Sequence, residues 1–512
     1  MIMIIMRNKK IIISFLIITL LCSSNIVISA NFNEDLSNDN NKIKFSEKPS
    51  TIDNIIKNSS VKIDYPLSTV PIIVEKGGEF TVRFTSDTFD AAYAYISTSY
   101  EPLVEEFWLT VGDIWFSNDL WNMNVTIPYI VPEELYNITI LLDQNGILLS
   151  SSQQRAVSVV EEFTDDFSFI HITDFHVGDP RGLKESIRET IGMKSIKRCI
   201  SEINILHPDF VIISGDLVFG QLYPREYSRE YKKCYELIQK FDVPTYLCPG
   251  NHDGYRRLFE DGLELWKEYF GPLYYSFDYG NYHYLSINSY DMSALSRFTF
   301  LFIPFNWGGS IQDEQLSWIE DDLASNSSDL TFMFMHHNPL WETKHDSLFR
   351  KSYKNRENLL GLIEQYRVDM VLAGHVHFDN VTIVNETTYV TTTTPSSSNS
   401  GNDSYWGYRL IEIEDGMIAS YNYKEPKYSI PSYNLELSYV GQDKAQIIND
   451  LETDINALVK FVLPKDEYKV DYGEIVLTRE NENYVELYVK VLVEELSTLT
   501  LTVTLKTASE SS

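Results

Sequence analysis

From Val61 to Val160 the chain alternates apolar and polar residues in short runs. The segments 80–84 and 125–129 keep the period of two that buries one face of a strand. Residues 138–142 and 147–149 flank Asn145-Gly146, a pair that favours a two-residue hairpin turn. This pattern predicts a β-sandwich over residues 61–162. The rhythm changes at Phe167. Strongly apolar strands at 167–173, 209–213, 244–248, 330–335 and 368–373 now alternate with stretches of helical period. Ile196, Cys199, Ile200, Ile203 and Leu206 mark one helix, and others are expected at 226–240 and 356–366. Ser310 and Asp313 form the pattern of a capping box, opening a helix with Leu316, Ile319 and Leu323 on one face. A hairpin turns at 279–281, and strands follow at 408–413 and 417–423. Alternating strands and helices predict an α/β domain over 165–425. Over 432–512 strands return, such as 485–491, with one helical patch at 445–458; a mostly-β domain is expected there. No internal repeat is visible.

The N-terminus reads as an address. Arg7, Lys9 and Lys10 precede an apolar run from Ile11 to Leu21, and Ala30 ends the milder stretch that follows. That order is the pattern of a signal peptide over residues 1–30, with an uncleaved membrane anchor as the alternative. Leu20-Leu21 before Cys22 lacks the small residue a lipidation site wants. Residues 31–60, rich in Asn, Ser, Asp and Lys, read as a linker. A secreted or cell-surface protein is expected. Asn58, Asn124, Asn137, Asn326, Asn380, Asn385 and Asn402 each open an Asn-x-Ser/Thr triplet, a glycan acceptor in some exported chains and a chance pattern in many. Cleavage would leave Cys199, Cys234 and Cys248, an odd number, read as small buried hydrophobes.

Composition narrows the classes. With 44% hydrophobic and 22% charged residues over 512 positions, packed cores are expected and disorder throughout is excluded. Asp and Glu number 73 against 42 Lys and Arg, a formal charge of −31. So acidic a chain is no generic binder of long nucleic acid or anionic membrane, because phosphate backbones demand a cationic surface. A small anionic substrate held by metal ions stays open, since the ions bring their own positive charge.

Five segments of the α/β domain place metal-type ligands just after buried strands. They are Asp174-Phe175-His176, Gly215-Asp216, Gly250-Asn251-His252-Asp253, His336-His337-Asn338-Pro339 and Gly374-His375-Val376-His377. In α/β sheets, sites form beyond the carboxyl ends of strands, so these loops should converge. Asp174 and His176 stand two residues apart, as do His375 and His377, which aims each pair one way in extended chain. Imidazoles, carboxylates and an amide carbonyl suit a pair of borderline divalent ions. The glycines before Asp216, Asn251 and His375 allow sharp turns and close approach. Each element alone is weak: a Gly-Asp pair is usually a turn, and a lone strand His is usually a satisfied core residue. Five in this order are specific.

That order resembles the calcineurin-like metallophosphoesterase superfamily, whose signature runs D-x-H, GD, GNH(D/E), H, GHxH. The resemblance spans Phe167 to Tyr423, about half the chain. It implies a four-layer fold, a β-sandwich core flanked by helices, and two divalent ions (Mn, Zn or Fe) at the strand ends. It further implies that Asp174, His176, Asp216 and His377 hold one ion, and that Asp216, Asn251, His336 and His375 hold the other. The family pattern favours His336 over His337 as the ligand. His252 would protonate the leaving group and Asp253 would orient it and raise its pKa. The implied reaction is in-line attack of hydroxide, held by both metals, on a phosphate mono- or diester.

One departure matters. Purple acid phosphatases place a Tyr three residues after the Asp of the GD motif; this chain has Phe219. That puts a ferric-tyrosinate centre in doubt and turns the reading toward the cyclic-nucleotide and glycerophosphodiester phosphodiesterase branches. His171, His207, His283 and His345 read as structural, and Arg181, Arg225, Arg256 and Arg257 as surface charges. Asp179 reads as a helix N-cap. The expected function is an exported phosphoesterase of small substrates, with the flanking β domains as candidates for cell-envelope contact. Two alternatives are a surface-binding protein built on a non-catalytic phosphoesterase scaffold and an exported nuclease or nucleotidase.

Overall fold

The computed structural model describes residues 44–45, 55–57, 60–98, 103–179, 191–220, 226–257, 259–300, 303–341, 352–397 and 405–506. The expected signal segment, most of the linker, Asn58, Arg181, Arg225, His345 and Asn402 lie outside the described residues.

Two six-stranded sheets face one another at the centre. The first runs, in spatial order, Thr245–Cys248 (β3), Phe210–Ser214 (β2), Phe167–Ile172 (β1), Gly407–Glu414 (β10) and Met417–Ser420 (β11), with 430–431 pairing beside β10. β1, β2 and β3 are parallel, and β10 closes antiparallel against β1. The second sheet orders Tyr275–Tyr279 (β4), Tyr282–Ile287 (β5), Leu330–Met335 (β6), Met370–Ala373 (β7), Thr387–Thr391 (β9) and Asn380–Val384 (β8). Here β5, β6, β7 and β9 are parallel.

Both faces of the central strands β2, β3, β6 and β7 are covered, which is why their sequences are nearly continuous apolar runs. Between the sheets lie Phe169, Phe210, Ile212, Tyr246, Tyr284, Phe332, Phe334 and Leu372. Tyr284 and Phe332 stack there with centroids 4.7 Å apart. On the outer face of the first sheet, Ile170, Ile172, Val211 and Ile213 meet helices Ile191–Leu206 (α1) and Tyr227–Ile238 (α2). Outside the second, Leu285, Met333, Met335 and Val371 meet Asp313–Ser325 (α5) and Arg356–Gln365 (α6). Short helices Asn251–Gly254 (α3) and Gly262–Tyr269 (α4) follow β3. Cys199, Cys234 and Cys248 are buried and unpaired.

The flanks are β-structure. Before β1, a seven-stranded and a four-stranded sheet pack over Val82, Phe84, Met123, Ile138, Ile140 and Val157. The hairpin turn at Asn145-Gly146 has φ of 55° and 83°, the left-handed pair that a two-residue turn requires. After β11, a four-stranded and a three-stranded sheet pack over Ile447, Val459, Phe461, Val489 and Val491. This last module lies on α1, where Glu202 Oε1 accepts from Tyr433 N at 2.7 Å. It is also tied to the first module, with Arg479 Nη2 2.8 Å from Glu134 Oε2. Among the described residues, no helix is long and apolar enough to cross a membrane.

Two local expectations are corrected. The helical patch at 445–458 is two strands, Lys444–Asn449 and Ile455–Pro464, with alternating burial. Asn449 breaks the chain between them: its Oδ1 accepts from Leu451 N and its Nδ2 donates to the carbonyls of Thr453, Val493 and Glu494. An Asx turn competes with a helix for those groups. The capping box at Ser310 also fails. α5 begins at Asp313, because Ser310 is drawn into bridges with Tyr290 and Lys354.

His283 on β5 generates a prediction. Its Nδ1 lies 2.6 Å from Asp278 Oδ1 and its Nε2 2.8 Å from Asp322 Oδ2. Burial disfavours the imidazolium, but the two carboxylates outweigh it and raise the pKa to about 9. The charged form is therefore worth more folded than unfolded. Its stabilisation is complete below the unfolded value of about 6.5 and is lost as pH rises through about 9. The thermal midpoint should fall between pH 6 and pH 9, and less so in His283→Asn; equal slopes would contradict this.

Candidate metal centre

All five ligand-bearing loops leave the carboxyl ends of parallel strands: β1 and β2 and β3 in one sheet, β6 and β7 in the other. The two sheets thus bring to one place residues that are two hundred positions apart in the chain.

Asp174 and Asp216 are the anionic pair, both essentially fully buried. Asp174 Oδ1 lies 3.2 Å from His377 Nε2 and 3.4 Å from His176 Nε2. Asp216 Oδ2 lies 3.1 Å from His336 Nε2 and 3.7 Å from His176 Nε2. His176 and His377 face each other Nε2 to Nε2 at 3.0 Å, and His375 Nδ1 stands 3.2 Å from His336 Nε2. Asn251 donates through Nδ2 to the Tyr255 hydroxyl at 2.7 Å. Its Oδ1 is left buried with no hydrogen bond, and Asp174 Oδ1, though close to the two imidazoles, accepts none of hydrogen-bonding geometry either.

These are the donor sets that could hold cations. Asp174, His176 and His377 form one group, and Asp174, Asp216 and His336 another; within each, the ligand atoms lie within 4.8 Å of one another. An arrangement that aims imidazole nitrogens at each other and strands a carboxylate oxygen without hydrogen bonds is costly unless a positive ion sits among them. The chemistry of the donors fits the pair of divalent ions expected from the sequence. His337 also neighbours His336 and His375. Its nitrogens are already used, however, with Nδ1 2.9 Å from Ser289 Oγ and Nε2 3.0 Å from the Trp307 carbonyl.

Electrostatics follow the geometry. Burial alone would raise both carboxyls, yet the imidazoles around them pull Asp174 and Asp216 well below the usual range. Burial opposes a charge on His336, and Asp216 with Asp174 overcomes it, carrying the pKa to about 9. His375 is pushed down to about 3 by burial and by His336. The His336 Nδ1–H donates to the Ser214 carbonyl at 2.8 Å, which turns Nε2 toward Asp216.

The backbone is bent to make this happen. Asp174, His176, Asp216, His375 and His377 all have φ between 46° and 76°. For residues other than glycine that left-handed conformation costs about 1–2 kcal/mol each. Glycines do sit where space requires them. A Cβ on Gly250 would stand 2.2 Å from Asp216 Oδ1, and one on Gly374 2.1 Å from Thr173 Oγ1.

His252 sits beside Asp216, its Nε2 4.0 Å from Asp216 Oδ2. Burial lowers its pKa to about 4, against the pull of Asp216. The expectation that Asp253 orients this ring is corrected. The Asp253 carboxylate accepts from Val218 N at 3.1 Å and Gly250 N at 2.8 Å, bracing the loops instead. The Phe219 carbonyl, 2.6 Å from His252 Nδ1, takes the orienting place. A main-chain acceptor carries no residue signature, so the sequence could not reveal it.

The remaining candidates fall away from the cluster or serve it indirectly. His171 is buried between Thr392 Oγ1 and Ser214 Oγ, at 2.8 and 2.7 Å. Arg256 is half exposed, while Arg257 is buried against the Tyr227 ring. Asp179 is buried and accepts from Ser397 Oγ at 3.2 Å; the helix it would cap falls outside the described residues. The sequence reading passed over residues 391–397, whose hydroxyls reach the ligand loops. Their signal is a run of four threonines, Pro395 and serines directly after a strand.

Comparison with known proteins points to the segment that carries these loops. The family model for calcineurin-like phosphoesterases matches residues 167–379. The chain is 29% identical over 206 residues to "Probable glycerophosphodiester phosphodiesterase GpdQ" of Arcobacter nitrofigilis, covering 40% of this chain and 70% of that protein. It is 25% identical over 225 residues to a "Probable cyclic nucleotide phosphodiesterase" of Synechococcus, covering 43% and 78%. Against purple acid phosphatase 23 of Arabidopsis thaliana it is 26% identical over 203 residues, covering 33% and 41%. Residues 167–379 are a calcineurin-like phosphoesterase domain, and the chain that carries them is a hydrolase acting on phosphate ester bonds.

Proposed function

We propose that the chain is an exported, dimetal phosphodiesterase of small substrates, the diester preferred over the monoester. The observation that carries the metal reading is the convergence of Asp174, His176, Asp216, His336, His375 and His377, with Asn251 on the loop whose His252 N donates to Asp216, and with Asp174 Oδ1 and Asn251 Oδ1 buried without a hydrogen bond. Asp174, His176, Asp216 and His377 would hold one ion, and Asp216, Asn251, His336 and His375 the other. Two divalent ions there would supply Lewis acidity and the positive charge that lets so acidic a chain receive a phosphate ester. The names of the bacterial relatives and the Phe at position 219 support the diester preference. Export rests on the basic and apolar pattern of residues 1–30.

His252 handles the proton. With hydrogen on Nδ1, given to the Phe219 carbonyl, its Nε2 is turned to Asp216. The resting imidazole is neutral at pH 7, since its pKa is about 4. An anionic phosphate brought beside it favours uptake of a proton from solvent at Nε2, and the imidazolium so formed gives that proton to the departing alkoxide. Asp253 acts through the loop, holding the amides of Val218 and Gly250.

Chelator-treated protein should lose hydrolysis of bis(p-nitrophenyl) phosphate and regain it with Mn²⁺ or Zn²⁺. Asp216→Asn should lower turnover at least about a hundredfold and take up less than the parental metal, read by elemental analysis. Full turnover in that variant at matched metal content would defeat the proposal. His252→Ala should slow diesters with alkyl leaving groups by about 10²–10⁴-fold, and nitrophenyl esters far less, because nitrophenolate departs without a proton. An equal loss on both substrates would remove His252 from the leaving-group role.

A further inference from the structure

The left-handed turn at Asp174 and His176 has no support in its own sequence. Neither residue is glycine, and φ is 58° and 46°. Such backbone persists only where the surroundings over-determine it. On the amide side, Asp174 N donates to the Gly215 carbonyl at 3.0 Å and His176 N to the Asp216 carbonyl at 2.9 Å. On the carbonyl side, the partners come from residues 394–396. Thr394 Oγ1 donates to the Asp174 carbonyl at 2.8 Å, and Ser396 Oγ donates to the Phe175 carbonyl.

Thr394 has no freedom to do otherwise. Its oxygen also accepts from Ser396 N at 3.2 Å and Ser397 N at 2.9 Å, so its one proton is left for Asp174. The side chain is fully buried. The segment is itself pinned on two sides. Ser195 Oγ of α1 holds the Pro395 carbonyl at 2.6 Å. Asp379 Oδ1 accepts from Thr393 N at 3.1 Å and is 3.0 Å from Arg409 Nη2. Arg409 spends its remaining donors on Thr392, Asn422 and the carbonyls of Tyr421 and Lys427.

We propose that Thr394 and Ser396 are positioning residues for the metal site built on Asp174 and His176. Their hydroxyls satisfy the carbonyls of the strained turn and hold both ligands in register before any ion arrives. The role rests on the dimetal reading of the site. It concerns hydroxyl groups that touch no ion, and it predicts a defect confined to one of the two sites.

The test is Mn²⁺ titration of the full chain by calorimetry, with free Mn²⁺ followed by electron paramagnetic resonance. Thr394→Val removes the proton and keeps the shape; Thr394→Ser restores it. Thr387→Val is the control, because Thr387 Oγ1 makes the same kind of buried bond, 2.7 Å to the Val368 carbonyl, away from the cluster. Thr394→Val should weaken one Mn²⁺ site about 10–100-fold and spare the other, Thr394→Ser should return it, and Thr387→Val should lower the thermal midpoint with both sites intact. Ser396→Ala should show the same one-site loss in smaller measure, and it carries the test should Thr394→Val not fold. Parental affinity at both sites in Thr394→Val or, in that event, Ser396→Ala, or an equal loss in Thr387→Val, overturns the role. A parental chain that takes up no Mn²⁺ overturns the dimetal reading and the role with it; two parental sites leave that reading standing whatever the variants do.

Discussion

Two carboxylates that cannot reach water set the terms for the rest of the domain. Asp174 and Asp216 are buried at the ends of β1 and β2, and an isolated buried carboxylate is among the costliest groups a fold can carry. Imidazoles answer part of that cost, which is why both carboxyls stay ionised despite burial. They answer it incompletely, for Asp174 Oδ1 finds no hydrogen bond and the surrounding nitrogens crowd one another. A dense cluster of ligands short of positive charge is what a divalent ion repairs. Divalent ions held there would supply the positive charge that an otherwise acidic chain needs to receive a phosphate ester.

The scaffold must be stiff enough to keep this arrangement. Five ligand candidates hold left-handed backbone, at about 1–2 kcal/mol each. That sum approaches the whole net stability of an ordinary domain, roughly 5–15 kcal/mol. The double sheet offsets it with an aromatic interlayer and helices on both outer faces. The flanking β-modules add rigidity from outside. One rests on α1 through Glu202 and Tyr433, and Arg479 joins it to the other through Glu134.

The catalytic core was legible because its constraints are written in side-chain types. Strands buried on both faces need unbroken apolar residues, and ligands at strand ends need Asp, His and Asn at short fixed spacings. Each of the seven ligand candidates stands where the strand-end argument put it. What was illegible depends on the main chain or on long-range choice. The Phe219 carbonyl that orients His252 could belong to any residue. The family resemblance implied Asp253 as its partner, but two loop amides compete for the same carboxylate and win. At 445–458 the helical period was real, and an Asx turn at Asn449 with strands already waiting on either side overrode it.

The threonine and serine run joins both classes. A string of small hydroxyl residues after a strand resembles an exposed linker, yet Thr391, Thr392, Thr393 and Thr394 are all buried. Burying hydroxyls without partners would be destabilising, so each must find a carbonyl, a ring nitrogen or a carboxamide nearby. Those partners are the carbonyls of the Asp174 turn, the ring of His171 and the side chain of Asn338. The requirement runs both ways. A strained ligand loop needs donors that do not themselves bind ions, and a buried hydroxyl run needs acceptors that regular sheet cannot spare. The two needs meet at the same end of the sheets, so the strain at Asp174 and His176 and the burial of the hydroxyl run sustain each other.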